Sequence, residues 1–230
     1  MIELRNVTKS YITKYGRHYV YRNVNALFPE GKNIGIIGPN GAGKSTLLRL
    51  IGKIDYPDSG EIITNKSVSW PVAFSGGFQG SLTGFEIVKF VCMIYGANGD
   101  MADKIAFVKE FTELGEYFEM PIKTYSAGMR ARLAFALSMA FDFDYYLIDE
   151  VTAVGDINFR KKCNQILREK LKKSNVIMTS HDISKLNKFC DIFAIPYKGD
   201  LIVFENFKEA TKFYADISKT TAIPELAKTD

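Results

Sequence analysis

Hydrophobic and polar positions along the 230-residue chain follow two different periods. The first third alternates: Ile2 and Leu4 stand between polar neighbours, a tyrosine-rich stretch runs from Tyr11 to Tyr21, and VNALF leads into a Pro29-Glu30-Gly31 turn. That is the period of short, half-buried strands. NIGIIG reads as a fully buried strand, and LLRLIGKI as a helix with Leu47, Leu48 and Ile51 on one side. The middle third turns helical. Thr83 and Glu86 have capping-box spacing and open a helix through Ile94, Gly96 to Asp100 break it, and a second helix from about Ala102 to Leu114 stops at Gly115. In MRARLAFALSMAF, Leu133, Ala136, Leu137 and Ala140 recur at helical spacing. Beyond them YYLIDE is a strand, residues 157–173 an amphipathic helix and NVIMTSHD a strand. IFAI and LIVF form a hairpin around Tyr197-Lys198-Gly199-Asp200, and a short helix in about 205–230 leads to a polar tail.

Strands alternating with helices predict an α/β fold with a mostly parallel sheet, an N-terminal antiparallel β-subdomain and an inserted helical lobe at about 80–140. The length suits a single domain over 1–230. Hydrophobic residues at 47% and charged residues at 24% exclude a disordered chain. The formal charge of +4, from 30 basic against 26 acidic residues, is too balanced to argue for nucleic acid. Cys92, Cys163 and Cys190 are far apart, odd in number and in no CxxC pair, so they read as buried thiols of a reducing compartment. Met1-Ile2-Glu3-Leu4 enters a strand directly instead of a signal peptide, and no apolar run reaches the ~20 residues of a membrane span. The expected location is cytoplasmic.

Chemistry enters at Gly38-Pro39-Asn40-Gly41-Ala42-Gly43-Lys44-Ser45-Thr46. It fits GxxxxGK[ST] with a strand before and a helix after, the context of a phosphate-loop NTPase core. Glycines let backbone N–H groups turn around a β-phosphate, and the helix N-terminus adds its positive end. Lys44 would reach the β- and γ-phosphates and Ser45 would ligate Mg²⁺. Phosphoryl transfer to water also needs a carboxylate on the metal side and a group to activate the water. FDYYLIDE supplies both at one strand end: Asp149 for Mg²⁺ through its water shell, Glu150 as general base. His181, in NVIMTSHD, would contact a γ-phosphate oxygen and hold the attacking water; by itself it would read as a capping or core histidine.

TYSAGMRAR (124–132) raises a separate question. Ser126, Ala127 and Gly128 leave a second helix start open, although Lys44, Asp149 and His181 can all serve one nucleotide from one side. The simplest arrangement is two copies head to tail, Ser126 and the Gly128 backbone of each binding the γ-phosphate of the other's ATP. The alternative is that Ser126 only caps its helix.

GPNGAGKST, YSAGM, YYLIDE, VTAVGD and TSHD, in this order and spacing, resemble the ATP-binding cassette (ABC) ATPases of membrane transporters across nearly the whole chain. The resemblance implies a nucleotide-sandwich homodimer, ATP with Mg²⁺, Asp156 communicating between the two sites, and an aromatic near Tyr11 stacked on adenine. Tyr15 and Tyr19 are rivals for that stacking role. RHYVYRNV, KIDYPDSGEIITNKSVSWPVAFSGGFQGSLTG and YSAGMRARLAFALSMAFDFDYYLIDEVTAVGD look very like the ATPase subunit of bacterial capsule-polysaccharide exporters. That implies a peripheral subunit on the cytoplasmic face of the inner membrane, a dimeric polytopic permease as partner, and periplasmic and outer-membrane export proteins further along. The helical lobe, about Gly80 to Lys123, would pass motion to the permease, with Phe85, Val88, Phe90 and Tyr95 as a docking surface or as plain core.

Two departures stand out. The family usually has LSGGQ where this chain has YSAGM: Ala127 still allows close backbone approach, whereas Met129 cannot make a glutamine's amide contacts. The γ-phosphate-sensing glutamine, counted back from Leu82-Thr83, falls near Phe74 or Ser75, and Gln79 is the only glutamine nearby. A teichoic-acid or O-chain exporter is the competing cargo reading. A soluble ATP-switched protein on ribosomes or DNA is the competing class, and it usually carries two cassettes or a long coiled coil. The basic run FRKKCNQILREKLKK is interrupted by Glu169 and has an inward face of Ile157, Cys163, Ile166, Leu167 and Leu171, so a solvated helix is expected there and not a nucleic-acid surface.

Overall fold

The computed structural model describes residues 1–95, 100–149, 156–180 and 182–221, with side chains through Ser218. In chain order its elements are β1 (Ile2–Thr13), β2 (Gly16–Phe28), β3 (Ile34–Ile36), α1 (Lys44–Ile51), β4 (Ser59–Thr64) and β5 (Val68–Pro71). Then come α2 (Gly84–Ile94), α3 (Met101–Thr112), α4 (Ala127–Met139), β6 (Tyr145–Asp149) and α5 (Ile157–Lys170). Last are β7 (Asn175–Thr179), α6 (Ile183–Phe189), β8 (Ile192–Tyr197), β9 (Asp200–Phe204) and α7 (Phe207–Thr221). They gather into two compact units, one of residues 1–66 with 176–230 and one of residues 67–175.

The first unit holds an antiparallel sheet in the order β2-β1-β4. β1 and β2 are one long hairpin of 12 and 13 residues, not the short strands expected from the pattern. Register shifts between Leu4 and Val7 and again around Lys9 interrupt the period-2 pattern. Asn6 and Asn23, both with positive φ, absorb the irregularity, since asparagine tolerates the left-handed region better than most side chains. Ile2, Leu4, Val7, Val24 and Phe28 remain buried.

The same unit holds β3 between parallel β7 and β8, with β9 antiparallel on β8. A mostly parallel arrangement agrees with the expected fold class. Tyr197 pairs with Asp200 across the β8–β9 turn, and Lys198 and Gly199 both take positive φ, the conformation that a two-residue hairpin turn requires. α7 runs for 15 residues, longer than the short helix expected, because its aromatics pack on this hairpin. Phe193 lies 5.2 Å from Phe207, and Phe204 lies 5.4 Å from Phe213.

The second unit pairs β5 with β6 in parallel and carries the helical segment α2–α4. The capping box on α2 is present in both directions, Glu86 N–H to Thr83 Oγ1 and Thr83 N–H to Glu86 Oε2. α3 stops earlier than expected, at Thr112, because Glu113 itself turns left-handed at φ 56°. Trp70, Tyr95, Phe141 and Phe143 form an edge-to-face cluster, and the Trp70 indole N–H donates to Ser138 Oγ. The inward face of α5 is Phe159 and Cys163, whereas Ile157 is 71% exposed, contrary to its expected inward position. Cys92 and Cys163 are buried and Cys190 half-buried; burial pushes the Cys163 and Cys190 thiols up to about 12.

Candidate functional site

In the first unit β3 ends at Ile36 and the chain runs through Gly38–Gly43 into α1. Gly41 and Gly43 have φ of 80° and 102°, which a side chain would strain. A Cβ on Gly43 would also lie 2.5 Å from Val20 Cγ1, so β2 presses directly on the loop. The Tyr21 hydroxyl, deeply buried, donates to Gly43 O at 3.1 Å and fixes that approach. Gly43 caps α1 without a side chain, so the amides of its first turn face the loop. Lys44 is only 8% exposed and folds over the loop, its Nζ donating to Gly38 O at 2.7 Å and to Pro39 O at 2.9 Å. Ser45 is exposed beside it, while Thr46 is buried and receives a 3.4 Å hydrogen bond from Arg49. A helix start with no side-chain cap, a lysine folded over the loop and an exposed serine suit a polyphosphate with its divalent cation.

The three tyrosines of the hairpin occupy different places. Tyr11, on β1, donates to Asp55 Oδ2 at 2.8 Å and accepts from Arg49 at 3.4 Å, so it shares Arg49 with Thr46. The Lys9 ammonium lies 5.1 Å from its ring and binds Asp55 at 2.6 Å. Tyr15 is at the hairpin turn. Tyr19, on β2, lines a cavity of about 710 Å³ with Val20, Arg22, Pro39, Gly41 and Ala42. Lys198 and Gly199 of the β8–β9 turn complete that wall, and the Arg22 N–H donates to Gly199 O at 2.7 Å. Tyr11 and Tyr19 thus lie on opposite strands of the hairpin.

In the second unit Asp149 ends β6 at a half-buried position behind the apolar run Tyr145–Ile148. Glu150 and His181 lie outside the described residues. Ser126 caps α4, its Oγ accepting the Met129 N–H at 3.2 Å. Ser126, Ala127 and Gly128 are all exposed, whereas residues 133–139 of the same helix are buried on every side. α4 therefore has its far end sunk in the core and its amino end presented to solvent. This goes beyond the one-sided face read from Leu133, Ala136 and Leu137.

Asp156 caps α5 through Oδ1, which accepts from Asn158 N at 2.9 Å and Phe159 N at 3.0 Å. Those backbone donors, Phe159 first, and then the Arg132 charge hold its carboxyl below the usual range. Gln79 is exposed in a turn between β5 and α2, with its carbonyl accepting from Leu82 N. Val88 is fully buried and leaves the suggested docking set; Phe90 and Tyr95 are about half exposed, joined by Met93 and Ile94.

The ABC transporter family pattern matches residues 21–153, a span that contains the phosphate loop, Ser126 and Asp149. The chain belongs to the ABC transporter family. It is 56% identical over 222 residues to the polysialic acid transport ATP-binding protein KpsT of Escherichia coli, covering 94% of this chain and 99% of that one. It is 48% identical over 214 residues to the capsule polysaccharide export ATP-binding protein CtrD of Neisseria meningitidis, covering 93% and 98%. The teichoic acids export ATP-binding protein TagH of Staphylococcus epidermidis is more distant, 37% identical over 204 residues and covering 88% and 77%. Among solved structures, a dimeric ATP-binding cassette in a post-hydrolysis state with ADP and Pi superposes with a TM-score of 0.68 at 24% identity, covering 89% of this chain and 98% of that one, a likeness of fold. No helix among the described residues is long and apolar enough to cross a membrane.

Proposed function

We propose that the chain is the ATP-hydrolysing subunit of a capsular-polysaccharide exporter, docked on a separate permease at the cytoplasmic face of the inner membrane. The observation that supports the mechanism is a pair of helix starts in one chain, α1 behind the phosphate loop without a side-chain cap and α4 with its Ser126-capped amino end exposed. The near full-length identity to capsule-export relatives, higher than that to the teichoic-acid exporter, supports the cargo.

In this reading the loop amides and Lys44 hold the β- and γ-phosphates, Ser45 and Asp149 hold Mg²⁺, and Tyr11 carries the base. Glu150 takes the proton of the attacking water and His181 orients it. Mg²⁺ would supply charge neutralisation at the phosphates. Ser126 and the Gly128 amide of a second copy close over the γ-phosphate, so ATP favours the closed dimer by binding it more tightly than the open one. Loss of the γ-phosphate removes that preference and reopens the pair. Gln79 is the remaining candidate to sense the γ-phosphate, and a Gln79→Ala enzyme with unchanged hydrolysis assigns that role elsewhere.

The test is Glu150→Gln with saturating ATP and Mg²⁺. Light scattering should show a dimer that persists, because closure proceeds and hydrolysis does not. A monomer under those conditions contradicts the sandwich.

A further inference from the structure

The two most exposed large apolar side chains among the described residues are Tyr15, at 87%, and Ile12, at 86%. Both stand at the tip of the β1–β2 hairpin, outside the helical lobe, and with the base given to Tyr11 in preference to its rival Tyr15 neither has a part in the proposed mechanism. The tip is a built turn. Thr13 Oγ1 donates to Gly16 O at 2.8 Å and accepts from Tyr15 N at 3.1 Å, with Gly16 at φ 106°. Lys14 and Arg17 flank the pair and are exposed; the Lys14 ammonium lies 4.8 Å from the Tyr15 ring, and Arg17 is opposite Ile12 in the ladder. From Leu4 to Pro29 the sequence has Arg5, Lys9, Lys14, Arg17 and Arg22 and no Asp or Glu. Asp55 engages Lys9, and Asp58 binds Ser10 with Arg17 within electrostatic reach, so compensating acids reach the hairpin from the loop before β4. They meet it at Lys9 and Ser10, below the tip.

We propose that this tip is a membrane-contacting element: Ile12 and Tyr15 enter the interfacial layer of an anionic bilayer while Lys14 and Arg17 meet its phosphate headgroups. Size decides for a bilayer over an acidic protein. A stable protein interface covers about 800 Å² per partner with some 20–30 residues a side, far more than a four-residue tip presents. A bilayer needs no matched surface, only apolar groups to bury and cations at headgroup level. Tyrosine beside a cation is the combination that suits that layer. The contact requires no nucleotide and no permease, so it stands or falls apart from the ATPase reading.

The experiment is co-sedimentation of the full chain with protein-free vesicles of phosphatidylcholine and phosphatidylglycerol at 7:3, in 0.1 M salt without nucleotide. Binding is expected, with at least a tenfold loss in 0.5 M salt and on pure phosphatidylcholine. Ile12→Asn with Tyr15→Ser, and separately Lys14→Glu with Arg17→Glu, should each weaken it at least tenfold. Ile12→Leu with Tyr15→Trp should retain it, which separates loss of contact from loss of the turn. Absence of wild-type binding, or undiminished binding by either disruptive pair, overturns the proposal. So does hairpin-dependent binding found only on native inner membranes and abolished by prior protease treatment of those membranes, which would make the partner a protein.

Discussion

The Arg132 guanidinium, on α4, donates to Asp156 Oδ2 at 2.8 Å while the other oxygen of Asp156 caps α5. The helix that begins with Ser126 is thereby tied to the residue the family resemblance assigns to communication between sites. Arg132 also lies 4.3 Å from the Phe159 ring and 3.4 Å from Glu113, which in turn binds Lys162 at 2.8 Å. The pair is one edge of a network joining α3, α4 and α5.

Such a pair contributes little to stability, because the Asp156 carboxylate is open to solvent screening. If it positions Asp156 for hydrolysis, activity should suffer more than folding. Arg132→Ala is expected to lower kcat for ATP about tenfold with Tm within a few degrees and ATP affinity unchanged. Arg132→Lys should recover part of the rate. Steady-state kinetics beside calorimetry checks this, and an unaltered kcat would reduce the contact to a surface ion pair.

The carboxyl of Asp156 titrates low because the folded state donates to its charged form. A group depressed on folding stabilises above its unfolded pKa, near 3.9, and that contribution is lost as pH falls through the folded value. Carbon-detected NMR should give an Asp156 midpoint below the ordinary carboxylate value. In Arg132→Ala the midpoint should move up only part of the way, since the Phe159 and Asn158 amides remain. An ordinary midpoint in the wild type would contradict the cap.

Tyr11 and Tyr19 make separable claims on the base. Tyr11 shares Arg49 with Thr46 of α1, whereas Tyr19 faces the cavity beside Pro39 and Gly41. Tyr11→Ala should raise the Kd for ATP about tenfold, a stacking loss of about 1.4 kcal/mol, and Tyr19→Ala less than twofold. Titration calorimetry giving the reverse order would move the base into the cavity.

The glycine turns of the phosphate loop, the Thr83 capping box and the β8–β9 turn were legible in sequence because each is fixed by a few local residues with one stereochemical demand, whereas the Ser126 cap was only the alternative to an open helix start. β4 and β5 were missed: SGEIIT and VSWP are short, and what stabilises them as strands is pairing with Arg5 and Glu3 on β1 and with Tyr145 on β6. α6 was missed for a similar reason, since Asp182 caps it but only Leu186 is buried in its seven residues. The length of β1 and β2 was hidden by register shifts that break strict alternation. Arg132 was unreadable as a site residue because its partners lie 19 and 24 positions away. Its only local signal was a cation close behind an exposed helix start.

Complementation tests most directly whether phosphate-loop chemistry drives polymer export. In the source bacterium the deleted gene would be replaced by the wild type or by Lys44→Ala, and polysaccharide measured at the surface and in the cytoplasm. Wild type should restore surface polymer, while Lys44→Ala, whose ammonium no longer meets the phosphates, should leave it inside the cell. Surface polymer restored equally by both would contradict ATP-driven export by this chain.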